Sequence, residues 1–115
     1  MARAVVLSPD GRSLATILAD QTVEVSETIS GRILCTYRGH QGMVHVVAWS
    51  PDSKYITSSS ADSTVHVWDM KTGKHIFTYQ GHSSGVNVVA WSPDGRHVAS
   101  ASSDHTVHTW LVEGL

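Results

Sequence analysis

Residue types suited to acid, base and nucleophilic work recur together in this chain. His40, Ser58 and Asp62 form one set, and His82, Ser100 and Asp104 form another 42 positions later. Histidine, serine and aspartate can build a nucleophilic triad, in which the imidazole takes the hydroxyl proton and the carboxylate fixes its tautomer. Each set is followed by a tryptophan, Trp68 or Trp110. A buried indole N–H needs an acceptor and a buried imidazole needs a fixed tautomer, so the same groups suit a structural hydrogen-bond chain. Duplication favours the structural reading, because an active site is not usually rebuilt at every repeat. No catalytic residue is assigned.

The other candidate groups are weaker. Eight histidines in 115 residues raise the question of metal or a pH switch. Beyond His40 and His82, His66 and His108 stand one repeat apart, and His45, His75, His97 and His105 are scattered. Neither an HExxH pattern nor paired cysteines occur, so no metal or cofactor is expected. A stability change near about pH 6 is expected instead, since buried neutral histidines resist protonation. The loops Gly39-His40-Gln41-Gly42 and Gly81-His82-Ser83-Ser84-Gly85 lack the lysine and following helix of a phosphate-binding loop. Cys35, the single cysteine, reads as a small packing residue and excludes an internal disulfide framework. Chemistry in a channel would need an unrepeated acid or base pair; Asp10, Asp52 and Asp94 recur in turns, and Glu24, Glu27 and Glu113 read as solvated.

Composition sets the bounds. Apolar residues make up 41% and charged residues 16%, as in a folding chain, and the formal net charge is −2. With no basic stripe, nucleic acid is not expected as a partner. The apolar runs are far shorter than the roughly 20 residues of a membrane-spanning helix, so no membrane partner is expected either. These features lead to the expectation of a cytoplasmic protein.

The elements that position the repeated groups follow from the 42-residue period. Ser8-Pro9-Asp10, Ser50-Pro51-Asp52 and Ser92-Pro93-Asp94 keep it, as do Asp20, Asp62 and Asp104, and Thr22, Thr64 and Thr106. Proline presets φ for the second position of a type I turn, and Gly11 or Gly95 tolerates positive φ at its end. Asp62-Ser63 and Asp104-His105 suit a second tight turn, and Lys71-Thr72-Gly73-Lys74 and Ser30-Gly31-Arg32 a third. Between turns the residues are β-branched or aromatic, and no stretch holds a helical period. The middle unit is expected to form strands near 44–49, 54–59, 64–68 and 74–79.

Gly39-His40, Ser50-Pro51-Asp52 and Asp62 through Trp68-Asp69, repeated as Gly81-His82, Ser92-Pro93-Asp94 and Asp104 through Trp110, resemble the WD-repeat (WD40) β-propeller family. The resemblance covers nearly the whole chain. It implies an all-β fold of three four-stranded blades, the last incomplete: blade one about 1–38, blade two about 39–80 and blade three about 81–115. Eleven strands are expected. The Gly-His loop of the first unit would fall before Met1.

The resemblance also implies roles. Loop histidine would bond turn aspartate, and through a strand hydroxyl the indole, giving the sets His40, Ser58, Asp62, Trp68 and His82, Ser100, Asp104, Trp110. Ser60 competes with Ser58 for the indole. Blade one keeps Thr16 and Asp20 but has Ser26 in place of tryptophan, so its network should be broken. Trp49 and Trp91 would anchor inner strands. Partner-binding positions, carried over by motif, are Met43, His45, Ala61, Gly85, Asn87 and Ser103. A non-catalytic scaffold for a peptide or protein ligand is the implied function.

Three blades fall short of the 4–8 typical of a ring. A blade of four five-residue strands has a face of about 300 Å². Covering it removes enough apolar area from water to contribute on the order of 10 kcal/mol. Bare flanks therefore favour closure by copies of the chain, as a homotrimer of nine blades ahead of a homodimer of six. The alternative is a fragment, or a duplicated or engineered repeat unit, whose only property is self-assembly.

Overall fold

Turns that fix their own geometry divide the chain. In the computed structural model, which describes residues 2–18 and 21–112, the hydroxyl of Ser50 donates to Asp52 Oδ1 at 2.6 Å, and the same carboxylate accepts the Lys54 amide at 3.0 Å. Ser8 and Asp10, and Ser92 and Asp94, repeat the arrangement. Gly11 and Gly95 end their turns at φ of 73° and 72°, where the middle unit places Ser53 at 62°. Ser53 is tolerated there in part because its Oγ accepts the Asp10 amide of the preceding unit at 3.2 Å. Gln21, Ser63 and His105 occupy the left-handed region at the second turn. Gly31 and Gly73 occupy it at the third.

Eleven strands result among the described residues. β1 (Ala2–Leu7), β2 (Ser13–Leu18), β3 (Val23–Glu27) and β4 (Ile33–Tyr37) form one antiparallel sheet. β5 (Val44–Trp49), β6 (Tyr55–Ser60), β7 (Val65–Asp69) and β8 (His75–Tyr79) form the second. β9 (Val86–Trp91), β10 (His97–Ser102) and β11 (Val107–Leu111) form a three-stranded third. The middle sheet lies within one residue of the positions expected from sequence. Strands pair in chain order, each with its predecessor, so every sheet is a simple meander. A register shift recurs where each inner pair begins, at Ala2–Ala4, Val44–Val46 and Ala101–Ser102.

The core consists of two seams between neighbouring sheets. At the first, Ala15, Ile17, Val23 and Val25 of the first sheet meet Val44, Val47, Trp49, Ile56 and Trp68 of the second. At the second, Val65 and Val67 meet Val86, Val89, Val98, Trp110 and Val112. The middle sheet is covered on both faces, so its strands run apolar or fully enclosed and do not alternate with polar residues. Thr57 shows how far this enclosure goes: its hydroxyl is buried with no hydrogen-bond partner, and the other units carry Ala15 and Ala99 there. Each sheet thus has a back face toward its predecessor and a front face toward its successor.

Candidate functional site

Blade two gathers its polar set on its back face. β6 and β7 pair in a register that sets Ser58 opposite His66 and Ile56 opposite Trp68. Ser58 Oγ accepts the Trp68 indole N–H at 3.0 Å and lies 2.6 Å from His40 Nε2. The other candidate, Ser60, bonds Asp62 instead. Blade three repeats the bridge: His82 Nε2 to Ser100 Oγ is 2.8 Å and the Trp110 indole N–H to the same oxygen is 3.4 Å.

The aspartate link differs between the two blades. His82 Nδ1 reaches Thr106 Oγ1 at 3.1 Å and Asp104 Oδ2 at 3.4 Å. His40 Nδ1 is buried without a partner, so Asp62 does not join its histidine. Asp62 is taken up by the hydroxyls of Ser60 and Thr64 and by the Gln41 amide at 3.1 Å. Its work is to tie the turn to the Gly-His loop. In blade one, Ser26 is half-buried and offers no indole, and Asp20 lies outside the described residues.

A tyrosine that the motif analysis passed over completes each set from the preceding blade. Tyr37, at the end of β4, stacks on Trp68 with centroids 4.5 Å apart and planes at 3°. Its hydroxyl donates to His66 Nδ1 at 2.7 Å, and His66 stacks on His40 at 4.0 Å. Tyr79 repeats this on Trp110 at 4.9 Å and on His108 Nδ1 at 2.5 Å, with His82 stacked on His108 at 4.1 Å. The approach explains the glycine of each Gly-His pair, because a Cβ at Gly39 or Gly81 would collide with the ring of Tyr37 or Tyr79. The signal was present in the sequence as a tyrosine three residues before each loop histidine. Trp49 and Trp91 also act across seams, donating their indole N–H to the carbonyls of Val6 at 3.0 Å and Ala48 at 3.2 Å.

These groups are arranged to stay neutral or bonded. Burial drives the His40 pKa down to about 3, aided by the neighbouring His66, against the pull of Asp62. Burial, and then His75, lower that of His66. Burial raises the Tyr37 hydroxyl and takes the Cys35 thiol up to about 11, so neither ionises near neutrality. Burial pushes Asp62 up, but the hydrogen bonds from Ser60, Thr64 and the Gln41 amide prevail and hold it at about 2. The base beside the Ser58 hydroxyl, His40 Nε2, is a neutral imidazole whose basicity burial depresses. Ser58 Oγ serves an indole and an imidazole at once, which ties β6 and β7 to the Gly-His loop. Among the described residues, no three or more His, Cys, Asp or Glu side chains converge on a position that could hold a metal ion.

The six rim positions are contiguous across the ends of blades two and three. The Ala61 amide donates to the Met43 carbonyl at 2.9 Å and the Ser103 amide to the Gly85 carbonyl at 3.1 Å. A Cβ at Gly85 would lie 3.4 Å from the His45 ring and 3.6 Å from Ala61 Cα. The His45 ring is held by the Val86 carbonyl, 3.1 Å from Nδ1, and Asn87 Nδ2 donates to Ser103 Oγ at 2.8 Å. Met43, His45, Ala61, Asn87 and Ser103 are exposed, and Gly85 is partly so.

A family model described as WD domain, G-beta repeat, matches residues 31–69 and 73–110, well over half of the chain. Each matched segment joins the outer strand of one sheet to three strands of the next, so it crosses the seam that the tyrosine closes. Comparison with curated proteins gives no match.

The neutral histidines set a pH dependence. The unfolded chain takes up protons at His40 and His66 as pH falls through about 6.5, while the folded chain keeps both neutral to lower pH. The stability of the neutral pair is complete above that value and declines toward pH 4. The expected loss is on the order of 1 kcal/mol per pH unit from His40, and His66 adds to it in the same direction. Urea unfolding between pH 7.5 and 4.5 measures it, and a flat profile contradicts the assignment.

Proposed function

The chain belongs to the WD40 repeat family, and from that membership we propose that it is a non-catalytic scaffold for protein or peptide partners, its ring closed by copies of itself. Repeats of this family generally serve protein interaction. The reading is carried by one observation. Val5 and Leu7 on the back of blade one, and Val88 and Val107 on the front of blade three, are each more than half exposed. Their repeat equivalents Val47, Trp49 and Val65 are enclosed at seams, and Val46 is partly so. Two apolar faces of this kind favour association over solution as a lone wedge. The rim of Met43, His45, Ala61, Gly85, Asn87 and Ser103 is the proposed partner surface. It combines one flexible apolar side chain with hydroxyl, amide and imidazole groups, as suits extended peptide backbone.

Light scattering tests the closure. Three copies are expected, giving nine blades, and two copies would also close a ring of six. A stable single-chain particle contradicts closure. The partner surface is tested by selecting peptides that bind the assembled protein saturably and then measuring them against a Met43→Glu, Asn87→Arg variant. Binding should fall by at least tenfold with the particle mass unchanged. Undiminished binding places the partner elsewhere.

A further inference from the structure

Blades one and two enclose a groove of about 450 Å³ at the end of the sheets opposite the rim, where β5 runs out into the Ser50-Pro51-Asp52 turn. Its floor is apolar: Leu34 of β4 and Met70, just after β7, are partly buried against the first seam. Two bonds across that seam fix its shape. Ser53 Oγ accepts the Asp10 amide at 3.2 Å, and the Cys35 thiol donates to the Met70 carbonyl at 3.2 Å. Within blade two the Met70 amide donates to the Lys54 carbonyl at 3.1 Å. Four of the eight lysines and arginines of the chain line the groove, Arg12 and Arg32 from blade one and Lys54 and Lys71 from blade two. Its three carboxylates are already engaged. Asp10 and Asp52 accept a hydroxyl and an amide of their own turns, and Glu27 holds Arg32 and Ser30. Arg12, Lys54 and Lys71 are exposed and form no ion pair among the described residues. Four cations against three carboxylates leave a surplus of one positive charge here, in a chain whose formal net charge is −2. Two lining residues also depart from the repeat: Met70 stands where the other units have Thr28 and Val112, and Lys71 where they have Ile29 and Glu113.

We infer that this groove is a second interaction surface, separate from the rim, and that it takes an acidic peptide segment with an apolar side chain between its carboxylates. The apolar side chain covers Leu34 and Met70, removing both from water. The flanking carboxylates meet Arg12 on one wall and Lys54 and Lys71 on the other. A single exposed ion pair contributes little, but three cations without partners around one apolar floor favour a ligand that satisfies them together and disfavour a basic one. A phosphate chain fits less well. It would leave the floor uncovered, and the charges of Asp10, Glu27 and Asp52 stand between the cations. The site is built by two four-stranded sheets of one chain and does not depend on ring closure.

Fluorescence anisotropy with a labelled peptide of glutamates around a central leucine tests the groove. Saturable binding is expected, weakening about tenfold when the leucine is replaced by serine and again when salt rises from about 50 to 500 mM. The same peptide with lysines for glutamates should not bind. Arg12→Glu combined with Lys71→Glu, at two exposed positions, should weaken binding about tenfold with far-ultraviolet circular dichroism unchanged. The Met43→Glu, Asn87→Arg variant should bind the probe as the native chain does, which separates failure of this groove from failure of the rim. The assignment is overturned if the acidic peptide does not bind saturably, if the lysine or serine peptide binds as well, or if the Arg12 and Lys71 reversals leave affinity unchanged. Tighter binding of a single-stranded oligonucleotide, or loss of the peptide in the rim variant, overturns it equally.

Discussion

An indole N–H and an imidazole buried beneath a neighbouring blade's tyrosine form the constraint on which this structure depends. Trp68 is fully enclosed, so its N–H must be satisfied, and Ser58 does so while also meeting His40. Tyr37 then covers the indole and bonds His66, which stacks on His40. Two chain segments about 30 residues apart are thereby held together across the seam. The glycine before each loop histidine is needed because the tyrosine ring lies where a side chain would be. Repetition of the same contacts around Tyr79 and Trp110 makes the seam a unit of construction and not a local accident.

This arrangement separates the chemistry of triads from their appearance. The serines are acceptors for indoles, the histidines are neutral stacked rings, and Asp62 organises a turn. On the back of blade one Val5 and Leu7, and on the front of blade three Val88 and Val107, are each at least half exposed. The flanks differ from each other in a directed way, since blade one has lost the groups that receive a tyrosine.

Much of this was legible in the residues. The Ser-Pro-Asp spacing located the turns because proline fixes φ and glycine permits the positive φ that ends them, and the β-branched runs between them located the strands. Ser58 and Ser60 could not be separated, because residues two apart on a strand share a face; only the register with β7 decides which one lies beside the indole. His82 reaches its aspartate and His40 does not, although the residue spacing is the same in both units. Tyr37 and Tyr79 kept the repeat period but sat on outer strands, where an aromatic reads as ordinary packing. The carbonyls that accept Trp49 and Trp91 were hidden for another reason: backbone acceptors carry no residue identity, and their position follows from the twist between sheets.

A double-mutant cycle on Tyr37→Phe and His66→Leu tests most directly whether the tyrosine couples neighbouring blades. The account predicts that the two losses in unfolding free energy are non-additive by about 1 kcal/mol, because either substitution alone breaks the same buried bond. Additivity within about 0.3 kcal/mol would contradict it, and the seam would then be held by apolar contact alone.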